Sequence, residues 1–381
     1  MSEIKVNSIK GVAASAAAIT VNNSDGTCTA NLSNRQGKNL IVNGAMQVAQ
    51  RGTSSQFTGY YTVDRFATSA GGTDEAPTQA QVDLSSSDTP YSLGFRKAFK
   101  LTNGNQTSGA DAGDYLSITY SIEAQDIANS GWNYTDTNSK LTIQFWAKSS
   151  VAKTFILSLY TQDGTDYGYN HKYALAANTW TKITHTFIGN PNLTFENDNG
   201  LGIQFMFIMY FGTQWTSGST VDQWVVYNGF TSTPDDTSDW WTTNDATFEI
   251  TGVQLEVGSV ATDFEHRSFG QELALCQRYF FRLAGDSKTI TTGHQNGLFG
   301  IFPITYPQTM RAAPSATAQT VTDAYSYYYA GTAARVNSLA LGSQNERYGE
   351  LSSTSFNTTD GTVGILRITN TSAYIDISAE L

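Results

Sequence analysis

Leu201-Gly-Ile-Gln-Phe-Met-Phe-Ile-Met-Tyr-Phe211 carries apolar side chains on both faces of an extended chain. The run is well short of the ~18–20 residues that a membrane-spanning helix needs, so it predicts a central strand covered on both sides. Around it the alternation is one-sided. Leu141, Ile143, Phe145 and Ala147 share one face of a strand, Phe155, Leu157 and Leu159 share a face of the next, and Ile183, His185 and Phe187 follow. Ile250-Thr-Gly-Val-Gln-Leu-Glu-Val257 then places Val253, Leu255 and Val257 inward, with Gln254 and Glu256 outward. Turns rich in Gly, Asn, Asp and Ser separate these runs, and no 3.6-residue period intervenes. The expectation is an all-β chain whose body, residues 40–269, is an antiparallel jelly-roll sandwich.

Beyond the sandwich, Ser268 and Gln271 stand three apart as a capping box, with Glu272 adding negative charge to the first turn. This predicts a connecting helix within 270–282, running from about Gln271 to Phe281, with Leu273, Cys276 and Phe280 on one face. Residues 283–381 are expected to form a smaller C-terminal β domain. Its last strand carries Ile375, Ile377, Ala379 and Leu381 in alternation to the end of the sequence. Residues 1–39 are small and polar with a few short alternations (Ile4, Val6; Ile19, Val21). They cannot make a core alone and read as an attachment segment.

Charge is sparse. The chain has 22 Lys and Arg and 33 Asp and Glu, 14 % of its residues against about 25 % in an average domain. With 20 Tyr, 20 Phe and 7 Trp it has ample apolar surface to fold. A net charge of −11 repels phosphate backbones and anionic lipid heads, which argues against nucleic-acid and membrane partners. The Ala-rich start, ending in Ala16-Ala17-Ala18, lacks the Leu and Phe of a signal-peptide core, so synthesis in the cytoplasm is expected.

Catalytic and metal motifs are weak. Cys28 and Cys276 match no disulfide framework or zinc spacing, and His171, His185, His266 and His294 form no His-x-His or His-x-x-x-His pattern, so no metal site or cofactor is expected. The Asp-Gly-Thr strings at Asp25, Asp163 and Asp360 lack the continuation of a calcium loop, which leaves calcium open but unsupported. Gly285-Asp286-Ser287 resembles the opening of an esterase nucleophile block, yet His294 stands in no Asp-x-x-His context, and a turn is the simpler reading. Asp163 with Asp166, Glu123 with Asp126, and Asp235-Asp236 with Asp239 are candidate paired carboxylates for glycan cleavage. None stands out from ordinary turn chemistry, and no catalytic residue is assigned.

Aromatic rings in polar, turn-rich segments offer a stacking platform for sugars. Tyr167, Tyr169, Trp215, Trp240 and Trp241 are the candidate glycan-binding residues, with core or interface packing as the competing reading. Tyr325-Ser-Tyr-Tyr-Tyr329 is a candidate lining for a subunit interface.

Three stretches, Asn39-Leu-Ile-Val-Asn-Gly-Ala-Met-Gln-Val-Ala-Gln-Arg-Gly52 leading to Tyr61-Thr-Val-Asp-Arg-Phe66, Thr251-Gly-Val-Gln-Leu-Glu-Val257 continuing to Arg267, and Glu272-Leu-Ala-Leu-Cys-Gln-Arg-Tyr279, resemble the virion fibre and tail proteins of bacteriophages, marine ones in particular. Phe302-Pro-Ile-Thr-Tyr-Pro-Gln-Thr-Met-Arg-Ala-Ala-Pro314 extends the likeness. The resemblance implies a sandwich similar to carbohydrate-binding modules, in a structural, homotrimeric virion protein that attaches to the host surface through a glycan or protein receptor. It also implies docking on phage tail or adaptor proteins through residues 1–39. A capsid or neck appendage with weak glycan adhesion is the alternative, and a polysaccharide depolymerase a more distant one. Within these motifs Asp64 and Arg65 are expected to form an ion pair or a turn, and Gln254 and Glu256 to lie on the closing strand.

Overall fold

The computed structural model describes residues 8–9, 19–21, 28–30, 37–218, 220–228, 233–284, 288–297, 299–354, 356 and 359–381. Two six-stranded antiparallel sheets make the body of the fold. One runs in the order Trp224–Val226, Tyr167–Leu175, Lys153–Thr161, Leu201–Phe211, Tyr115–Glu123, Phe66–Gly71. The other runs Thr181–Ile188, Lys140–Ser149, Thr247–Val257, Lys97–Thr102, Thr78–Asp83, Ser54–Ser55. Their inner faces meet through Leu141, Ile143, Phe145, Phe155, Leu157, Leu159, Phe205, Phe207 and Leu255, the alternating positions of the sequence. Each such side chain, fully buried, is worth about 1.5–3 kcal/mol, and this is the jelly roll that the patterning predicts. The Leu201–Phe211 strand is central and buried on both faces, with Met206 and Ile208 packing in a separate outer cluster.

The outer face of the second sheet departs from the expectation. Gln254 and Glu256 point away from the core, yet they are buried. Residues 258–267 cross over them as a polar strap. Thr262 donates its backbone N–H to Glu256 (2.8 Å), Glu265 donates to Gln254 Oε1 (2.7 Å), and Gln144 Nε2 donates to the Thr262 carbonyl (2.6 Å). The strap also binds the entry of the chain: Glu265 accepts from the Gly37 and Asn39 backbone, and Arg267 donates to the Asn39 and Ile41 carbonyls. A Cβ on Gly44 would run into the Val253 carbonyl, so only glycine lets this entry segment lie so close to the closing strand.

Among the first 36 residues only three short strands, Ser8–Ile9, Ile19–Val21 and Cys28–Ala30, are described, paired antiparallel. The rest of the expected attachment segment lies outside the described residues, as does Gly285-Asp286-Ser287.

The capping box closes as the sequence predicts, with the Ser268 side chain accepting from Gln271 N and the Gln271 side chain accepting from Ser268 N. The helix spans Phe269–Gln277, shorter than expected, because Phe280 and Phe281 pair with Ser378 and Ile377 in a three-stranded sheet. Tertiary pairing overrides the helical spacing there. Glu272, on the first turn, is buried because its carboxylate accepts the Asn43 backbone N–H (2.5 Å). A seven-stranded sheet completes the C-terminal unit around Phe302, Tyr325, Tyr327, Leu351, Leu366 and Ile375. Tyr325 and Tyr327, expected at a subunit interface, are therefore fully buried core residues, their hydroxyls donating to the Tyr374 and Thr362 carbonyls.

Asp64 and Arg65 form a turn, as expected, and do not pair with each other. Asp64 accepts from the Gln50 backbone (3.0 Å) and side chain (2.5 Å), while Arg65 pairs with Glu380, donates to the Ser121 carbonyl (2.6 Å) and lies 3.4 Å over the Tyr279 ring. Successive residues at this turn diverge because Arg65 adopts a left-handed φ of 71°.

Two expectations follow. Glu380→Ala strands the buried Arg65 guanidinium without its carboxylate and is expected to cost roughly 3–5 kcal/mol in denaturant unfolding. An unchanged midpoint would show that the pair contributes nothing. Burial also lifts the Asp64 carboxyl from 3.8 to about 6, so the folded chain favours its protonated form and stability falls as the group ionises with rising pH. The stability of the parent minus that of Asp64→Asn should therefore decline by about 2–3 kcal/mol between pH 4 and pH 7; a rise would reverse the assignment.

Candidate functional site

The outer face of the first sheet is laid down by register. Asn170 stands opposite Ser158, Ser158 opposite Met206, and Met206 opposite Thr119. In the adjacent row Gly168, Tyr160, Gln204 and Ser121 follow one another across the same strands. Because side chains alternate, each of these is the out-of-phase partner of a core residue: Tyr160 follows Leu159, and Gln204 precedes Phe205. The result is an outer face on which Ser158, Asn170 and Ser121 are buried around an apolar centre of Ile156, Met206 and Ile208, and Thr119, Tyr160 and Gln204 are partly exposed.

Aromatic rings wall this surface. Tyr115 stands edge-on to Trp215, centroids 5.5 Å apart, and edge-on to Phe211 at 6.3 Å. The Trp215 indole is fixed by its N–H, which donates to the Gly113 carbonyl (2.8 Å). Nearer the other edge of the sheet Tyr160 and Tyr227 stack at 4.9 Å and 8°. Between Trp215 and the sheet lies a cleft of about 100 Å³ with Ser69, Ser117, Thr119, Gln204 and Met206 at its floor. Gln204 is oriented by a 3.0 Å hydrogen bond from its Nε2 to Ser121 Oγ. No charged side chain is among the described residues lining the cleft. Such a surface offers ring faces for an apolar sugar face and neutral donors and acceptors for its hydroxyls.

Of the five aromatics singled out in the sequence, Trp215 alone stands at this cleft. Trp240 and Trp241 are completely buried, their indole N–H groups donating to the Thr247 (3.2 Å) and Gly109 (2.7 Å) carbonyls. The polar residues before them form a loop that turns inward, and Asn103 locks it by donating to the Trp241 carbonyl (2.6 Å). Tyr167 and Tyr169 lie on a regular strand and face the core, Tyr169 packing edge-on against Phe187 and Trp224. Tyr115, Tyr160, Tyr227 and Gln204 were missed because they sit within or beside regular strands. The signal that marks them is the phase of Tyr160 and Gln204, opposite to their apolar neighbours.

In each of the three carboxylate sets at least one member has a structural partner. Glu123 accepts from Arg278 (2.8 and 2.7 Å) and from the Tyr279 hydroxyl (2.5 Å), and these bonds outweigh burial to hold its carboxyl below the usual range. Asp236 forms a buried pair with Lys153 (2.9 Å), burial pushing the carboxyl up and the ammonium down. Asp163 accepts the Glu196 backbone N–H (3.0 Å). His171 and His185, on consecutive strands that belong to different sheets, are brought together where the edges of the two sheets meet.

No protein-family model matches the chain, and no curated protein matches it. Among solved structures it is similar to a family 16 carbohydrate-binding module, at 14 % identity over 57 % of this chain and 99 % of that one, with a TM-score of 0.26. It is also similar to the N-terminal cellulose-binding domain of Cellulomonas fimi β-1,4-glucanase C (12 % identity, 56 % and 100 % covered, TM-score 0.27). A Stig cyclase from Fischerella sp. TAU is similar as well, at 10 % identity, 59 % and 98 % covered, with a TM-score of 0.33. At such scores the chemistry of the chain's own cleft has to carry any functional argument.

Burial separates the tryptophans by stability. Trp240→Ala and Trp241→Ala are each expected to cost roughly 3–5 kcal/mol in chemical denaturation, and Trp215→Ala, at a partly buried ring, about 1–2 kcal/mol. Equal losses at all three would contradict an open cleft at Trp215.

Proposed function

We propose that this chain is a non-enzymatic, glycan-binding appendage of a bacteriophage particle, a homotrimeric tail fibre that attaches to the host surface. The observation that carries the glycan reading is the uncharged, ring-walled cleft on the outer face of the first sheet. Trp215 supplies the stacking face, and the partly exposed Gln204 and Thr119 answer the hydroxyls of a neutral polysaccharide. A strand of sugars crossing this sheet would next meet the Tyr160 and Tyr227 pair. Net charge supports the choice of ligand, since −11 disfavours polyanions.

The virion assignment rests on the sequence resemblance of the 39–66, 251–267 and 272–279 stretches to phage fibre and tail proteins. On this reading residues 1–39 dock on the particle through tail or adaptor proteins, and trimerisation multiplies a weak single-site affinity by avidity. The non-enzymatic reading is supported by the engagement of Glu123, Asp163 and Asp236 in structural hydrogen bonds and ion pairs.

Affinity electrophoresis through gels loaded with host envelope polysaccharide tests the site. Retardation is expected for the parent chain and for Trp240→Phe. Trp215→Ala is expected to bind roughly 5- to 30-fold more weakly, as for the loss of about 1–2 kcal/mol of ring contact. Retardation unchanged in folded Trp215→Ala and Gln204→Ala variants would remove this cleft, and release of oligosaccharides into the medium would overturn the non-enzymatic reading. Light scattering should give three times the mass of one chain; a strict monomer rejects the trimer.

A further inference from the structure

His171 lies on Tyr167–Leu175 of the first sheet, and His185 on Thr181–Ile188, the edge strand of the second. Where the two sheets meet, their imidazole rings stack with centroids 3.8 Å apart and planes 25° apart. Asp222, from the loop after the Leu201–Phe211 strand, reaches both: its Oδ1 is 2.7 Å from His171 Nδ1 and 3.7 Å from His185 Nε2. The three ligand atoms lie within 4.8 Å of one another, the one such group of three among the described residues.

The placement of Asp222 is fixed by backbone. Its N–H donates to the Asn170 carbonyl (2.8 Å) on the His171 strand, and it adopts a left-handed φ of 59°. Asp tolerates that conformation better than most residues, though it carries a cost that the fold sustains. The Tyr169 hydroxyl, 3.3 Å from His185 Nε2, sets the tilt of the second ring. Two imidazoles and one carboxylate converging from two strands and a loop form the donor set of a borderline divalent cation.

We propose that His171, His185 and Asp222 bind a divalent transition-metal ion, zinc or a close chemical relative, which clamps the loop to the meeting edges of the two sheets. Tetrahedral zinc with bonds of about 2.0–2.1 Å sets its ligand atoms about 3.3 Å apart. Asp222 must therefore move a few tenths of an ångström away from His171 and a similar distance toward His185, and the stacked imidazoles must turn so that each in-plane nitrogen lone pair points at the ion. The Asp222 side chain is half exposed and can make that shift, and the same exposure leaves the fourth coordination position to water. The inference is independent of glycan recognition, since metal binding is read with no sugar present.

The test uses the full chain without an affinity tag, stripped with chelator. Cobalt(II) titration should give a visible d–d absorption that saturates at one ion per chain and is displaced by zinc, and zinc should raise the melting temperature. Asp222→Asn, at an exposed position, is expected to keep the metal-free melting temperature while weakening zinc binding at least tenfold, and His171→Gln to do the same. His185→Gln should abolish binding; should it misfold, the other two variants decide. Absence of cobalt and zinc binding at 1 mM metal would overturn the proposal and leave a hydrogen-bonded His171–Asp222 pair, as would undiminished affinity in Asp222→Asn and His171→Gln.

Discussion

The Glu380 carboxylate holds the two β units together. It pairs with Arg65, itself almost wholly buried in the sandwich, and with Arg51 at 3.2 Å. A buried guanidinium is costly unless paired, so Arg65 is settled only when the end of the C-terminal strand arrives. The surrounding contacts repeat the theme. Arg51 lies 3.4 Å over the Phe280 ring, Gln50 donates to the Phe280 carbonyl (2.8 Å), and Arg282 binds both Asp376 and the Arg51 carbonyl. Arg311 donates to the Ala379 and Glu380 carbonyls and to Asn199 of the sandwich. The smaller unit is therefore fastened to the larger by charge-assisted hydrogen bonds, which demand geometry, and not only by apolar contact.

That fastening leaves the two outer faces of the sandwich with different fates. The 258–267 strap and the entry segment at Gly37–Ile41 cover the second sheet with polar groups that satisfy one another. The first sheet keeps its outer row of Ser117, Thr119 and Gln204 beside Trp215 and Tyr115, with a cleft between them. Under the strap the buried Gln254 and Glu256 find partners, while Gln144 bonds through its Nε2 and leaves its Oε1 unpaired; hydroxyls and an amide beside an open cleft can answer a ligand. The proposed binding chemistry thus falls on one face of one sheet, and the loop that carries Asp222 lies at the edge of that same sheet.

Much of the scaffold was legible in residues. The alternation at Phe155, Leu157 and Leu159, the two-faced run Leu201–Phe211 and the Ser268 capping box all mark local periods that physics enforces whatever the partner. The site was less legible. Trp240 and Trp241 follow a polar, turn-rich segment, which reads as surface, but the loop folds them inward and satisfies both indoles with backbone carbonyls. Tyr160 and Gln204 read as ordinary strand residues, since their role depends on which face of the sheet stays open. The absence of a His-x-His spacing concealed His171 and His185, which lie on strands of different sheets.

By itself the sequence determined the all-β class, the jelly-roll body, the capped helix and the alternation of the last strand. Each follows from side-chain period and capping chemistry between residues near in the chain. Tertiary structure alone decided that Arg65 would turn from Asp64 to Glu380, that Gln254 and Glu256 would be buried under the strap, and that Trp215 and not Trp240 would stand at a cleft. The physical reason is that burial and pairing are properties of neighbours in space. A period of two tells which side chains share a face, and only the packed sheets tell what, if anything, covers that face.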